Sequence, residues 1–255
     1  MSCTNDSAKY IDDVHHVLLN MMKDIHELLE KHHIPYYISG GGMLGMVRHR
    51  GFIPWDDDLD ISVERKYFNQ LKDIFISELP DYYKVVDVDS GIGIWGEIMK
   101  VEDSRTEIIE QGMAIPHGVF IDFFALDSTY GKGLRDGLCW KIVALYAVSY
   151  SNSKCWISRF VQLMGFLFGK NWLVHLVKYM ASSKGKYRTV YFGRQGRRET
   201  FPKEVYGIPE LHEFEDTFFY FPQGYKNILT QFYGDYMQLP PVDQRHTHIL
   251  RFRYK

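Results

Sequence analysis

Apolar residues at Ile11, Val14, Leu18, Met21, Ile25 and Leu28 recur at steps of three and four. That is the period of one helix face, and it predicts a long amphipathic helix over 9–32, capped by Asp6 or Ser7. Pro35 then leads into a short strand, 34–39. After a glycine-rich turn, 43–49 has the spacing of two helical turns, and 59–63 alternates with the period of a strand. The pattern returns to helical over 64–79, with Tyr67, Phe68, Leu71 and Ile74 or Phe75 facing inward. Two strands, 83–88 and 92–101, are expected around a turn at Ser90-Gly91. Residues 118–127 form an apolar run interrupted by Asp122.

Between 132 and 185 the apolar clusters are broken by Lys141, Lys154, Arg159, Lys170 and Lys178, and no uncharged run reaches the ~18 residues of a membrane span. This segment is expected to form two or three helices, either a buried helical subdomain or a surface laid on a membrane. Apolar residues on all sides favour the subdomain. The alternation of elements predicts an α/β (α+β) fold, a mixed sheet flanked by helices, in one domain spanning 1–255 with a helical insertion at 132–185.

Composition narrows the function. The 255 residues are 45% apolar and 24% charged, enough for a packed core, and the net charge of −2 argues against a nucleic-acid partner. Cys3, Cys139 and Cys155 form an odd set without a CxxC pair, which suits reduced thiols. The opening MSCTNDSAKY has no apolar core of a signal peptide, so the expected location is cytoplasmic, with peripheral contact at the inner membrane face through 132–185 left open. His15, His16, His26, His32 and His33 lack the spacing of a metal site and are read as structural or solvent-facing.

The densest chemistry lies in 36–63, YYISGGGMLGMVRHRGFIPWDDDLDISV. Gly40, Gly41 and Gly42 allow a tight turn and close approach to a ligand, and the following helix would aim its first N–H groups at an anion such as phosphate. Asp58 and Asp60 fall on one face of a strand and can share a divalent ion. Asp56 could join them, while Asp57 should point elsewhere. Oxygen donors alone suit Mg²⁺ or Mn²⁺. An EF-hand fails, because its required Gly and Glu positions hold Ile61 and Tyr67. Gly40, Gly42 and Gly45 with Asp60 mimic a dinucleotide fingerprint, but Gly51 and Pro54 break the helix that a Rossmann crossover needs.

Asp122 is expected either to pair with a buried Arg or cap a neighbouring element, or to act as a third metal-facing carboxylate or general base. Asp127 is expected to close the strand or turn the chain. The basic, Gly-rich stretch 184–198 is either a loop over the site or a solvated connection. Tyr233, Tyr236 and Pro240 read as packing, and His246 as a candidate phosphate contact.

The run GGGMLGMVRHRGFIPWDDDLDI resembles the signature of the LicD family, and is similar to the corresponding part of fukutin and fukutin-related protein. Residues 233–241, YGDYMQLPP, with Arg245 and His246 resemble the family's C-terminal pattern. The resemblance implies a nucleotidyltransferase-like fold. It also implies a metal-dependent transferase that moves a phospho-alcohol, typically phosphocholine from CDP-choline, onto a sugar of a cell-surface glycan such as lipopolysaccharide or capsule. In that scheme Asp58, Asp60 and Asp122 hold metal, and Gly40, Gly41, Gly42 and His246 meet phosphate. Arg48 offsets charge on the leaving nucleotide. Transfer of a nucleotide from an NTP, or a catalytically silent nucleotide-binding subunit, remain as alternatives.

Overall fold

The computed structural model describes residues 9–90, 96–112, 115–131, 133–150, 156–169, 171–181 and 184–255. The caps foreseen at Asp6 or Ser7, the turn at Gly91, Cys3 and Cys155 lie outside these.

The first helix, α1 (Ile11–Lys31), buries Val14, Leu18, Met21, Met22, Ile25 and Leu29 against the sheet, the face its periodicity marks out. A strand, β1 (Tyr36–Ser39), leads directly into α2 (Gly40–His49), so the three glycines are the first turn of the helix rather than a loop before it. Gly40 permits this because its φ of 55° lies in the left-handed region. Next come β2 (Asp60–Glu64) and α3 (Arg65–Glu78), which packs Phe68, Leu71 and Phe75 inward. Strand β3 (Tyr83–Val86) pairs with β4 (Ile98–Glu110), and β5 (His117–Thr129) follows. The second strand of the expected hairpin is found as β4 from Ile98, and its expected first positions, 92–95, lie outside the described residues.

These strands form a mixed sheet in the order β1-β2-β5-β4-β10, where β10 (Ile249–Tyr254) is the last element of the chain. β1 runs antiparallel to β2, whereas β2 runs parallel to β5. The antiparallel step excludes a Rossmann crossover, as the broken helix implied. The register decides the chemistry: Asp60 lies opposite Ser39 on one side and opposite Asp122 on the other, and Asp122 lies opposite Lys100 of β4.

Helices α4 (Leu134–Tyr150), α5 (Trp156–Phe168) and α6 (Trp172–Met180) make a separate layer. Cys139, Ile142, Tyr146, Val161, Leu173, Val174 and Val177 share a second core with Tyr191 and Phe192. No single described helix is long and apolar enough to cross a membrane. Strands β6 (Tyr187–Thr189) and β7 (Phe201–Pro202) extend the sheet from β5 and lead into α7 (Lys203–Tyr206). The hairpin of β8 (Glu210–Phe214) and β9 (Thr217–Phe221) packs Phe214, Phe219 and Phe221 into the main core, and α8 (Tyr225–Tyr233) follows.

Asp127 neither closes its strand nor turns the chain. It sits inside β5, where both carboxylate oxygens accept from Arg65, at 2.7 and 2.8 Å. The buried arginine foreseen as one possible partner for Asp122 therefore belongs to its neighbour five residues on.

Candidate functional site

The loop between α2 and β2 carries the aspartates, and distant parts of the chain hold it from three sides. Arg50 and Glu215 both have positive φ, and the backbone N–H of Glu215 donates to the Arg50 carbonyl at 2.7 Å. The Glu215 carboxylate accepts from the Phe52 N–H at 2.9 Å and lies where a Cβ on Gly51 would be, so a side chain there would displace that carboxylate from Phe52. His15 stacks on Phe52 with centroids 4.4 Å apart, and its Nε2 donates to the Asp56 carbonyl at 2.6 Å. Burial lowers the His15 pKa, which keeps the ring neutral in this structural role. Asp57 points away from its neighbours, as expected. One oxygen accepts from the backbone N–H groups of His248 and Ile249 and the hydroxyl of Thr247, and the other meets His248 Nδ1 at 3.1 Å. The C-terminal strand is thereby pinned to the acidic loop.

A cavity of about 460 Å³ opens above this loop. Asp56, Asp58 and Asp60 lie on its wall with Ser39, Gly40 and Gly41 at the N-terminus of α2. A Cβ on Gly40 would press against Asp60, and one on Gly41 against Asp56, so the glycines make room for the carboxylates. Gly42 is different, because its Cβ position faces Ile38 and Leu59 in the core. Of the three glycines expected at a phosphate, two line the cavity.

Asp122 is set behind Asp58 and Asp60 and is not part of the lining. Both of its oxygens accept from Lys100 Nζ, at 2.6 and 2.9 Å, and that ammonium also lies 3.5 Å from the Phe120 ring centroid. Arg48 does not face the cavity. It lies in the last turn of α2 and donates to the backbone carbonyls of Tyr236 and Gln238, the latter at 2.7 Å. It thus holds the YGDYM turn to the helix. His246 is exposed and outside the lining, where His248 takes its place. Tyr233, read as packing, is also a wall residue, while Tyr236 packs against the main core.

The electrostatics single out the aspartates. Burial raises the pKa of Asp58 to about 6, with Asp57 and Asp122 adding repulsion and His248 and Lys100 opposing it. Burial, then Asp58, Asp122 and Asp56, push Asp60 well above the usual carboxylate range, and burial with Asp58 and Asp57 does the same to Asp56. Among the described residues no cation forms an ion pair with Asp56, Asp58 or Asp60, and the nearby Lys100 is paired with Asp122. An excess of half-buried carboxylate on the cavity wall, rich in oxygen donors, fits a divalent cation. Among the described residues, no three His, Cys, Asp or Glu side chains already converge as a metal cage, so Asp58 and Asp60 would need ligand oxygens to complete one.

The far wall comes from 190–199. Val190, Gly193, Arg194, Gln195 and Glu199 line the cavity with Tyr206, Phe232 and Tyr233. Of the two readings left open for the basic stretch, its 190–195 part forms a wall of the cavity. Arg194 and Glu199, like Lys100 and His248, had no individual mark in the sequence. The GRQGRR composition flagged the region of Arg194, but Lys100 is connected to Asp122 only through strand register.

Residues 33–133 match the family described as LicD/FKTN/FKRP, nucleotidyltransferase domain. A relative in Haemophilus influenzae, named lipopolysaccharide cholinephosphotransferase LicD, is 29% identical over 93% of this chain and 95% of its own length. Uncharacterized proteins of Rickettsia prowazekii and Rickettsia typhi match at 59% identity over 46 residues, 18% of this chain and 17% and 15% of theirs. The family match spans the glycine turn, the acidic loop and the β2–β5 pair that carry the site, and one relative extends the likeness to nearly the full length: residues 33–133 of this chain match a LicD/FKTN/FKRP nucleotidyltransferase domain.

Proposed function

We propose that this protein is a transferase that moves phosphocholine from CDP-choline onto a sugar hydroxyl of a cell-surface glycan of the lipopolysaccharide kind. The observation that supports this most directly is the cluster of Asp56, Asp58 and Asp60, with its excess of half-buried charge, on the cavity wall beside the N-terminus of α2. Mg²⁺ or Mn²⁺ held by Asp58 and Asp60 would neutralise the diphosphate of the donor. Positioning and charge neutralisation are most of what phosphoryl transfer asks of a protein.

The protein's own groups then divide the work. The first N–H groups of α2, at Gly40 and Gly41, lie where they can receive a phosphate oxygen. Arg194, on the cavity wall and in no ion pair among the described residues, offsets charge growing on the departing CMP, the role first assigned to Arg48. The acceptor hydroxyl oxygen forms its bond to the choline-bearing phosphorus as the bond from that phosphorus to CMP breaks. The hydroxyl proton passes to Asp56, a wall carboxylate without an ion pair among the described residues. Asp122, committed to Lys100, tunes the charge behind the site.

Mass spectrometry of the purified protein with Mg²⁺ and a panel of CDP-choline, CDP-ribitol, CDP-glycerol and CTP tests this reading. Release of CMP from CDP-choline, abolished by EDTA and by Asp60→Asn, is the expected result. Pyrophosphate released from CTP would instead make it a nucleotidyltransferase.

A further inference from the structure

The three-helix layer carries more apolar surface than its core can use. Along α5, Ser158 and Val161 turn inward, while Trp156, Phe160, Leu163 and Leu167 are 76%, 51%, 60% and 65% exposed. Their spacing of i, i+4, i+7 and i+11 places them on one narrow stripe. Phe166 and Phe168 extend the surface at the end of the helix, at 88% and 68% exposure, and the exposed Arg159 flanks it. The enclosure expected of this segment therefore applies to α4 and α6 but not to α5. Single exposed apolar side chains need no explanation, but a continuous stripe of aromatic and leucine residues does.

Charge identifies what covers it. Residues 132–186 contain nine Lys and Arg and one acid, Asp136, in a chain whose net charge is −2. The remaining 200 residues thus carry an excess of acid. Such a segregation repels a second copy's basic layer and attracts an anionic surface. Trp, Phe and Leu on one face with basic residues beside them match a helix lying in the plane of a lipid interface.

We infer that α5 docks the protein on an anionic lipid surface through Trp156, Phe160, Leu163 and Leu167, assisted by the basic charge of 132–186. No helix crosses the membrane in this arrangement. The docked layer is connected to the cavity through one short stretch of chain: Tyr191 and Phe192 are buried in the helical core, and Val190, Gly193 and Arg194 on either side line the cavity. Docking would therefore set the mouth of the cavity close to a lipid-linked acceptor. The lipid contact itself does not depend on the transfer reading.

Co-sedimentation of the full-length protein with vesicles tests this, comparing pure phosphatidylcholine with vesicles of about one-third phosphatidylglycerol. Binding is expected on the anionic vesicles, reduced by raised salt, and weakened more than about tenfold by Phe160→Asp with Leu167→Asp. Arg159→Glu is expected to weaken binding less and only on the anionic vesicles. Both variants alter exposed side chains, so their thermal midpoints should match the parent and exclude unfolding as the cause. The inference is overturned if the parent fails to sediment or if the apolar double variant binds equally well. A self-associated species in sedimentation velocity that Phe160→Asp dissolves would also overturn it, assigning the stripe to a second copy.

Discussion

Two groups of acids, one buried behind the sheet and one half-buried on the wall of the cavity, are treated in opposite ways. Asp127 and Glu97 converge on Arg65, which reaches both oxygens of Asp127 and one of Glu97, with Lys178 a further 3.7 Å from Glu97. Asp56, Asp58 and Asp60 converge on one another and on a cavity, and the nearby Lys100 is already committed to Asp122. The first group has its charge balanced by protein cations, although Glu97 Oε2 is buried without a hydrogen-bond partner. The second is left with charge that something from solution must balance. Charge held partly out of water without an internal partner is costly, so its retention beside a cavity points to use, whereas an ion network balanced within the protein a few residues along β5 points to architecture.

The sharpest way to break this comparison is to remove one member of each group and measure both stability and turnover. Arg65→Met strands two buried carboxylates and is expected to cost about 3–5 kcal/mol by chemical denaturation. Asp60→Asn removes one of several repelling charges, so in cation-free buffer its thermal midpoint should stay level or rise by about 2–4 °C while turnover is lost. Equal destabilisation by the two substitutions would mean that the acidic groups are alike. Lys100→Met probes the junction between them. It frees Asp122 to repel Asp58 and Asp60 and should cost about 2–3 kcal/mol, much of it recovered when Asp122→Asn is added. Additive losses in that double-mutant cycle would show that Lys100 stabilises through packing on Phe120 instead.

Glu199 offers a smaller, pH-dependent version of the same contrast. It lines the cavity, accepts the Gln195 N–H at 2.5 Å and has no ion pair among the described residues. Burial raises its pKa from 4.5 to about 7, against the opposing Gln195 contact. The folded protein therefore keeps this proton to a higher pH than the unfolded chain does. Its contribution to stability falls as pH rises from 4.5 to 7 and is flat above that. Glu199→Gln should reduce the slope of stability against pH in that window by at most about 1.4 kcal/mol per pH unit. An unchanged slope would place the titration elsewhere.

Much of this architecture could be read from local pattern. The period of α1 and the alternation of 59–63 are consequences of residue spacing alone, and the structure contains them as α1 and β2, whereas Asp58 lies in the loop before β2 rather than on the strand and reaches the cavity wall beside Asp60 from there. The assignments that moved all depend on long-range contacts. Arg48 looks catalytic within its RHR cluster, yet its partners are carbonyls 188 and 190 residues away. His246 and His248 are indistinguishable until β10 is fixed against β4 and pinned by Asp57. Asp122 and Asp127 have the same apolar context on one strand, and only cross-strand register and the entry of α3 decide that one meets Lys100 and the other Arg65.

The sequence by itself determined the helix and strand periods, the glycine turn and the acidic run, because backbone sterics and side-chain spacing act over a few residues. The tertiary structure decided which carboxylates are neutralised, which arginine faces the cavity and which apolar helix is left uncovered. Those outcomes depend on distance and burial between residues far apart in the chain, and charge interactions become decisive only where the fold has excluded water.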